Sequence, residues 1–342
     1  VEILRKLRWF LYPSVFVLVF LFGAYCSFPV VVLRTIAEGS ITGAALGMGP
    51  ENRGMPTVVI KDLSLWRASG ISIEGLNVSW PGTKKGSAMD LVIDSFKTRL
   101  GIFSLLMGAK NIEAQGELYK GFFEAQVKIA KPNNLSALSA NISRVDLATM
   151  AFIESLLGSP LKGQFDLVAD INANSQLSKD GTGTIKITID KGVFGPGSIN
   201  LPSGGFVSSL AVPLVSLGKL TIELNLDKGQ LDSKHFTLTG GDLEAELNLN
   251  IGLAKVPQSS RLSGTGWFSL KREFLNSNET IKMLFDLLPE LRAAQQGNGK
   301  VSFSLYGSLG RPQFKLDSGT GQKKASKNNK VADAEDFADL ED

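Results

Sequence analysis

The sequence is short of the side chains that carry most protein chemistry. Its 342 residues include one histidine, His235, and one cysteine, Cys26. One imidazole and one thiol cannot build the common zinc sites, which take three or four such ligands. Cys26 lies inside an apolar run, so the chain after it has no disulfides. Phosphate loops are missing too. Gly297-Asn298-Gly299-Lys300-Val301 lacks the hydroxyl residue after the lysine and leads into a strand pattern instead of a helix. His235 sits in a strand-like run and reads as a surface histidine. Glu244 and Glu246 stand two apart on one wet strand face, where they read as solubilising charges and not as the convergent pair of a glycosidase. Charge of one sign is also in short supply. There are 36 Lys and Arg against 33 Asp and Glu, a net charge of +3. The basic residues are scattered along the sequence, so nucleic acid is not an expected partner. No catalytic, cofactor-binding or metal-ligating residue is expected, and the chain reads as a non-enzyme.

What is present begins with one long uncharged run, from Trp9 to Leu33. At about 1.5 Å per residue it can cross a bilayer core of about 30 Å. It exceeds the roughly 7–15 apolar residues of a cleaved signal and ends without an A-x-A site. Tyr25 before Cys26 also departs from the small residue that a lipoprotein signal needs. A retained transmembrane helix is therefore expected. Arg5, Lys6 and Arg8 precede it and Arg34 follows, which places the N-terminus in the cytoplasm and the body outside it. Trp9 and Tyr12 fall where interfacial aromatics belong.

The remainder alternates. Phe123, Ala125, Val127 and Ile129 interleave with Glu124, Gln126 and Lys128. Ile185, Ile187 and Ile189 interleave with Lys186, Thr188 and Asp190, and Ile222, Leu224 and Leu226 with Glu223, Asn225 and Asp227. Leu243 to Ile251 and Val301 to Leu305 do the same. Period two with one polar face predicts an antiparallel sheet with one wet side. Asp190-Lys191-Gly192 and Asp227-Lys228-Gly229 both predict tight hairpins, glycine supplying φ > 0. Thr239-Gly240-Gly241-Asp242 predicts a third.

Two helices are expected to interrupt the strands. Asp146 caps the first, with Leu147, Met150, Ile153 and Leu157 on one face. The second starts near Asn278, carries Ile281, Leu284, Phe285 and Leu288, and is kinked or split by Pro289. Residues 100–107 suggest a short helical piece. The expected layout is a cytoplasmic N-terminus (1–8), a transmembrane helix (9–33), a Gly-rich connector (34–56), a β-rich domain (57–317) and a disordered tail (318–342). The fold class is mainly β with few short helices, a long curved antiparallel meander behind one N-terminal transmembrane helix. Two helices cannot cover so long an apolar face. It either closes on itself as a sandwich or curled barrel, or stays an open groove.

Three segments carry a resemblance. They are Arg8-Trp9-Phe10-Leu11-Tyr12-Pro13 with its apolar run, Val145-Asp146-Leu147-Ala148 through Leu161-Lys162-Gly163, and Gly299 to Phe314. Together they resemble the type II secretion system protein N family (GspN), in the form found in delta-proteobacteria and spirochaetes, and more loosely the AsmA-like periplasmic β domains. The resemblance covers the layout of most of residues 1–317 and brings no catalytic residues. It implies a bacterial inner-membrane component of the type II secretion system, with a periplasmic β domain that meets other inner-membrane subunits of that machine. The AsmA side of it implies phospholipid in an apolar groove, next to the lipid bilayer.

Overall fold

The alternation is realised as strands almost throughout. The computed structural model describes residues 30–317, apart from 49–53, 68–69, 82–88, 101–109, 131–133, 151–152, 155–158, 174–176, 201–208, 255, 280 and 283–288. The anchor flanks Arg5, Lys6, Arg8, Trp9 and Tyr12, most of the run to Leu33, the segment 101–107 and the tail from 318 lie outside the described residues.

The strands are β1 (Thr57–Trp66), β2 (Gly70–Trp80), β3 (Met89–Leu100), β4 (Lys110–Leu118), β5 (Gly121–Ala130), β6 (Asn134–Asp146), β7 (Leu161–Asn172), β8 (Thr182–Phe194), β9 (Gly197–Asn200), β10 (Ser209–Val212), β11 (Val215–Asp227), β12 (Gln230–Gly240), β13 (Leu243–Gly252), β14 (Arg261–Leu270), β15 (Val301–Ser308) and β16 (Arg311–Leu316). Fourteen of them form one antiparallel sheet in chain order, while β9 and β10 form a separate hairpin between β8 and β11. Each strand pairs with its sequence neighbours, so most loops are short and cost little closure entropy. The substantial strand-to-strand contacts join neighbours or next-but-one strands. Among the described strands β1 and β16 are the two edges and do not pair with each other, so the sheet is not closed by hydrogen bonds into a barrel. At about 4.8 Å per strand the sheet is roughly 60 Å across.

The connector expected at 34–56 is in large part a helix, α1 (Val30–Met48). Ala37, Ile41 and Ala45 recur every four residues and form a narrow stripe against β1 and β2. Their small size allows close approach, and Gly39 and Gly43 face open space. Arg34, expected as an anchor flank, ties this helix to the sheet. Its guanidinium donates to the Ile60 carbonyl and to Glu38 Oε1 at 3.0 Å. Trp80 Nε1 donates to the Ala45 carbonyl at 3.2 Å. Ile60 and Ile73, among the most deeply buried side chains described, lie beneath this helix.

The repeated Asp-Lys-Gly has two outcomes. Lys228 and Gly229 both take positive φ, 48° and 79°, between paired Asp227 and Gln230, which is the expected two-residue hairpin. At Asp190-Lys191-Gly192 no hairpin forms, and β8 runs straight through. Lys191 has φ 53°, and the register slips against both β7 and β11. Val193 and Phe194 still have partners on both sides, so turning back would forfeit two ladders; the extra residue becomes a bulge. Gly240-Gly241-Asp242 turns as expected, and Asp242 Oδ2 accepts the Ser216 N–H at 2.8 Å. One tight hairpin has no glycine or asparagine to announce it: Tyr119 and Lys120 supply φ 48° and 63°.

The first expected helix is interrupted. Asp146 caps as expected, accepting from the Ala148 N–H at 3.1 Å, and opens a 3-10 turn (Leu147–Thr149). Met150 leaves helical geometry, and Ile153 and Glu154 are helical again. Around Asn278 one helix gives way to the next: Glu279, Ile281 and Lys282 are helical, and the Lys282 N–H donates to the Asn278 carbonyl at 3.0 Å, so a helix starts there as expected. Asn278 ends a helix (Arg272–Ser277), and its amide donates to the Phe274 carbonyl at 3.0 Å. Pro289 begins a helix (Pro289–Ala294), where a missing N–H costs nothing. A four-residue helix, Leu177–Asp180, lies between β7 and β8. In chain order these are α2 (Leu177–Asp180), α3 (Arg272–Ser277) and α4 (Pro289–Ala294).

Candidate functional site: an apolar face with a trough

Register decides which side chains stand together. On the apolar face of β4 to β7, one row across the strands is Ile112, Val127, Leu138 and Ile171. The next row is Ala114, Ala125, Ala140 and Ala169, and Ile185 continues it onto β8. The third row is Gly116, Phe123, Ile142, Leu167, Ile187 and Ile222. Four alanines in four adjacent strands, between two rows of larger residues, make a trough. It runs across the strands for about 15 Å, given the 4.8 Å strand spacing. Phe123 is the bulkiest residue of one side wall. Its ring lies over Gly116, where a Cβ would meet ring carbons at 2.7 Å, and stacks on Phe96 at 6.0 Å between centroids. Phe96 in turn packs against the core under α1.

Cover is uneven. α1 lies on β1. Phe274 of α3 and Ile281 pack with Val212 and Val215 at one end of the strands. α4 places Leu291 and Ala294 on Val301. Among the described residues no comparable helix lies on β4 to β8; a single turn at Leu147 meets β7. Ile112, Ala114, Ala125, Val127, Leu138, Ala140, Ile142, Leu167, Ile185 and Ile187 are accordingly only half-buried. The Ile/Leu/Ala face is thus neither polar nor sealed.

The opposite face carries the polar members of the alternation. Shallow clefts of about 530 Å³ (Asp232, Asn248, Asn250, Ser263, Thr265, Ser304) and about 270 Å³ (Glu113, Gln115, Glu124, Gln126, Ser139, Asn141) lie there. His235 is exposed on β12, opposite Glu223. Glu246 accepts from Trp267 Nε1 at 3.2 Å across to β14. Among the described residues no group of His, Cys, Asp or Glu is placed to hold a metal ion, and none of the described helices is long and apolar enough to cross a membrane.

One buried polar group repairs a fault in the sheet. β4 pairs with β3 only from Ser95 onward, leaving Met89–Asp94 without that neighbour. Tyr119 reaches back into the gap. Its hydroxyl accepts the Val92 N–H at 3.0 Å and donates to the Asp90 carbonyl at 3.4 Å. Burial, aided by the nearby carboxylates of Asp90 and Asp94, pushes the phenol above its ordinary range despite that hydrogen bond.

The alternation in the sequence foretold an apolar face but not the alanine row, whose members are 11 to 29 residues apart and meet only through register. No protein-family model matches the chain, and neither a curated protein nor a solved structure matches it.

Proposed function

We propose that this protein is a non-enzymatic, membrane-anchored lipid-binding protein of AsmA-like character, and that the trough on β4 to β8 holds an acyl chain of a phospholipid. The observation that carries the reading is the alanine row between larger aliphatic rows on a half-buried face. A chain of methylenes is about as wide as that row, and its burial gains roughly 0.8 kcal/mol per CH₂. A protein segment would bring backbone N–H and C=O groups that this face cannot satisfy. The anchor expected at 9–33 would hold the sheet beside its source of lipid, on the periplasmic side of a bacterial inner membrane. The test is native mass spectrometry of the full chain released from nanodiscs, comparing wild type with the double variant Leu167→Glu/Ile187→Glu. Retained phospholipid in the first and its loss in the second, with unchanged circular dichroism, is the expected result. Equal lipid in both would sink the reading.

A second reading, assembly into the type II secretion system, has its own support in β16. This edge strand is exposed, Phe314 is 54% exposed, and nothing pairs with its outer side among the described strands. Such an edge can accept a partner strand, although Pro312 removes one donor from the strand. Recovery with other secretion subunits from solubilised membranes, together with an export defect on deletion, would favour it. Normal export after deletion would remove it.

A further inference from the structure

α1 gives the sheet a direction. Arg34 reaches Ile60, and Ala45, eleven residues on, meets Trp80, which lies beyond the Thr57–Ser79 pair. α1 therefore runs antiparallel to β1, and its N-terminus points toward the Trp66 end of the strands. In an antiparallel meander that end collects every second connection: those after β1, β3, β5, β7, β11, β13 and β15. Each has a basic residue in it or beside it, including Arg67, Arg99, Lys128, Lys228, Arg261 and Arg311. Acids there are fewer: Glu113 is paired with Arg99, Asp180 and Asp227 lie beside Lys179 and Lys228, and Asp170 and Asp232 stand as far in from their strand ends as Lys128 does. The opposite end is mixed, with Lys120 paired to Asp146 and Lys219 to Asp190. Arg67 also stacks on Trp66, 4.8 Å from the ring centroid, and Arg99 stands 6.0 Å from the same ring. Aromatic and basic groups side by side suit the headgroup layer of a bilayer.

We infer that this end of the sheet is a basic rim that rests on anionic phospholipid headgroups, with the strands standing on the membrane from which the chain emerges. The inference rests on the reading of residues 9–33 as a membrane anchor. It deepens the lipid-binding proposal, because it sets the strands upright and brings the apolar face down to the bilayer along its whole width. Residues scattered in sequence become a rim only because the meander returns to the same end at alternate loops.

The test uses the full chain in nanodiscs, with Cys26→Ser and one introduced cysteine at a time. Gln230→Cys and Leu309→Cys report on the rim, and Lys191→Cys and Asp242→Cys on the opposite end. Each cysteine carries a fluorophore, and a quencher attached to lipid headgroups reads its distance from the bilayer. With one anionic lipid in three, the rim labels are expected to be quenched several-fold more than the others. Adding Arg67→Glu, Arg261→Glu and Arg311→Glu should weaken rim binding by about fivefold per charge removed, with no change in purely zwitterionic discs. Equal quenching at both ends overturns the inference, as does a chain that fails to enter the disc. So does an unquenched label at 309, which would mean that the sheet stacks away from the membrane. Rim quenching without bound phospholipid would remove the lipid-binding reading and leave the rim standing.

Discussion

The first two strands and the middle five are written in the same alternating code and end in different states. In β1 and β2, Ile60, Leu63, Ile73, Leu76, Val78 and Trp80 are buried under a helix, with the half-buried Leu91, Ile93 and Phe96 of β3 packed against them. In β4 to β8 the corresponding Ile, Leu and Ala side chains are mostly half-buried, with no helix of that kind above them among the described residues. Alternation therefore defines which face is apolar, and a separate element decides whether that face is a core or a surface. The comparison also divides labour. Burial at the first region holds the chain together, and exposure at the second leaves apolar area free for a ligand.

The largest stability difference should appear between the two regions. Ile60→Ala removes a fully buried side chain and should cost about 2–5 kcal/mol, read from urea midpoints. Ile187→Ala on the half-buried face should cost less than half as much. Equal costs would mean that the middle is as well packed as the covered end. Ala140→Phe sharpens the contrast in the other direction. It fills the trough, should change stability by about 1 kcal/mol or less, and should abolish phospholipid retention.

A smaller effect is expected at the junction of the regions. Tyr119→Phe leaves the Val92 N–H without its acceptor, which should cost about 1–3 kcal/mol. The pH dependence has a definite sign. The phenol's folded pKa is raised, so its contribution is fully present below the unfolded value of 10.0 and is lost as pH rises through ionisation. Wild type should lose stability above about pH 10 more steeply than Tyr119→Phe. Parallel curves would show that the buried phenol does not link the two strands energetically.

Much of this fold was legible in the residues. The strands at 123–129, 185–189, 222–226, 243–251 and 301–305 fall where period two places them, because one wet face leaves a clear signature. Asp146 was recognisable as a cap, yet no local rule interrupts the helix at Met150. The two Asp-Lys-Gly segments are locally alike. Which one turns depends on whether the next residues have partners on both sides, a tertiary fact. α1 could have been found in Ala37, Ile41 and Ala45, but Gly39, Gly43 and Gly47 favoured a connector. The trough and the basic rim were out of reach. Both are made of residues far apart in sequence, brought together by register in one case and by the alternation of loops in the other.

The central claim, that the apolar face holds acyl chains, can be read residue by residue along β8. Benzoylphenylalanine is placed singly at positions 184 to 189 in the full chain, and irradiated membranes are examined for covalent phospholipid adducts. Adducts are predicted at Ile185, Ile187 and Ile189 and not at Thr184, Lys186 and Thr188, because adjacent residues of a strand face opposite sides. Adducts at every position, or at none, would contradict the account.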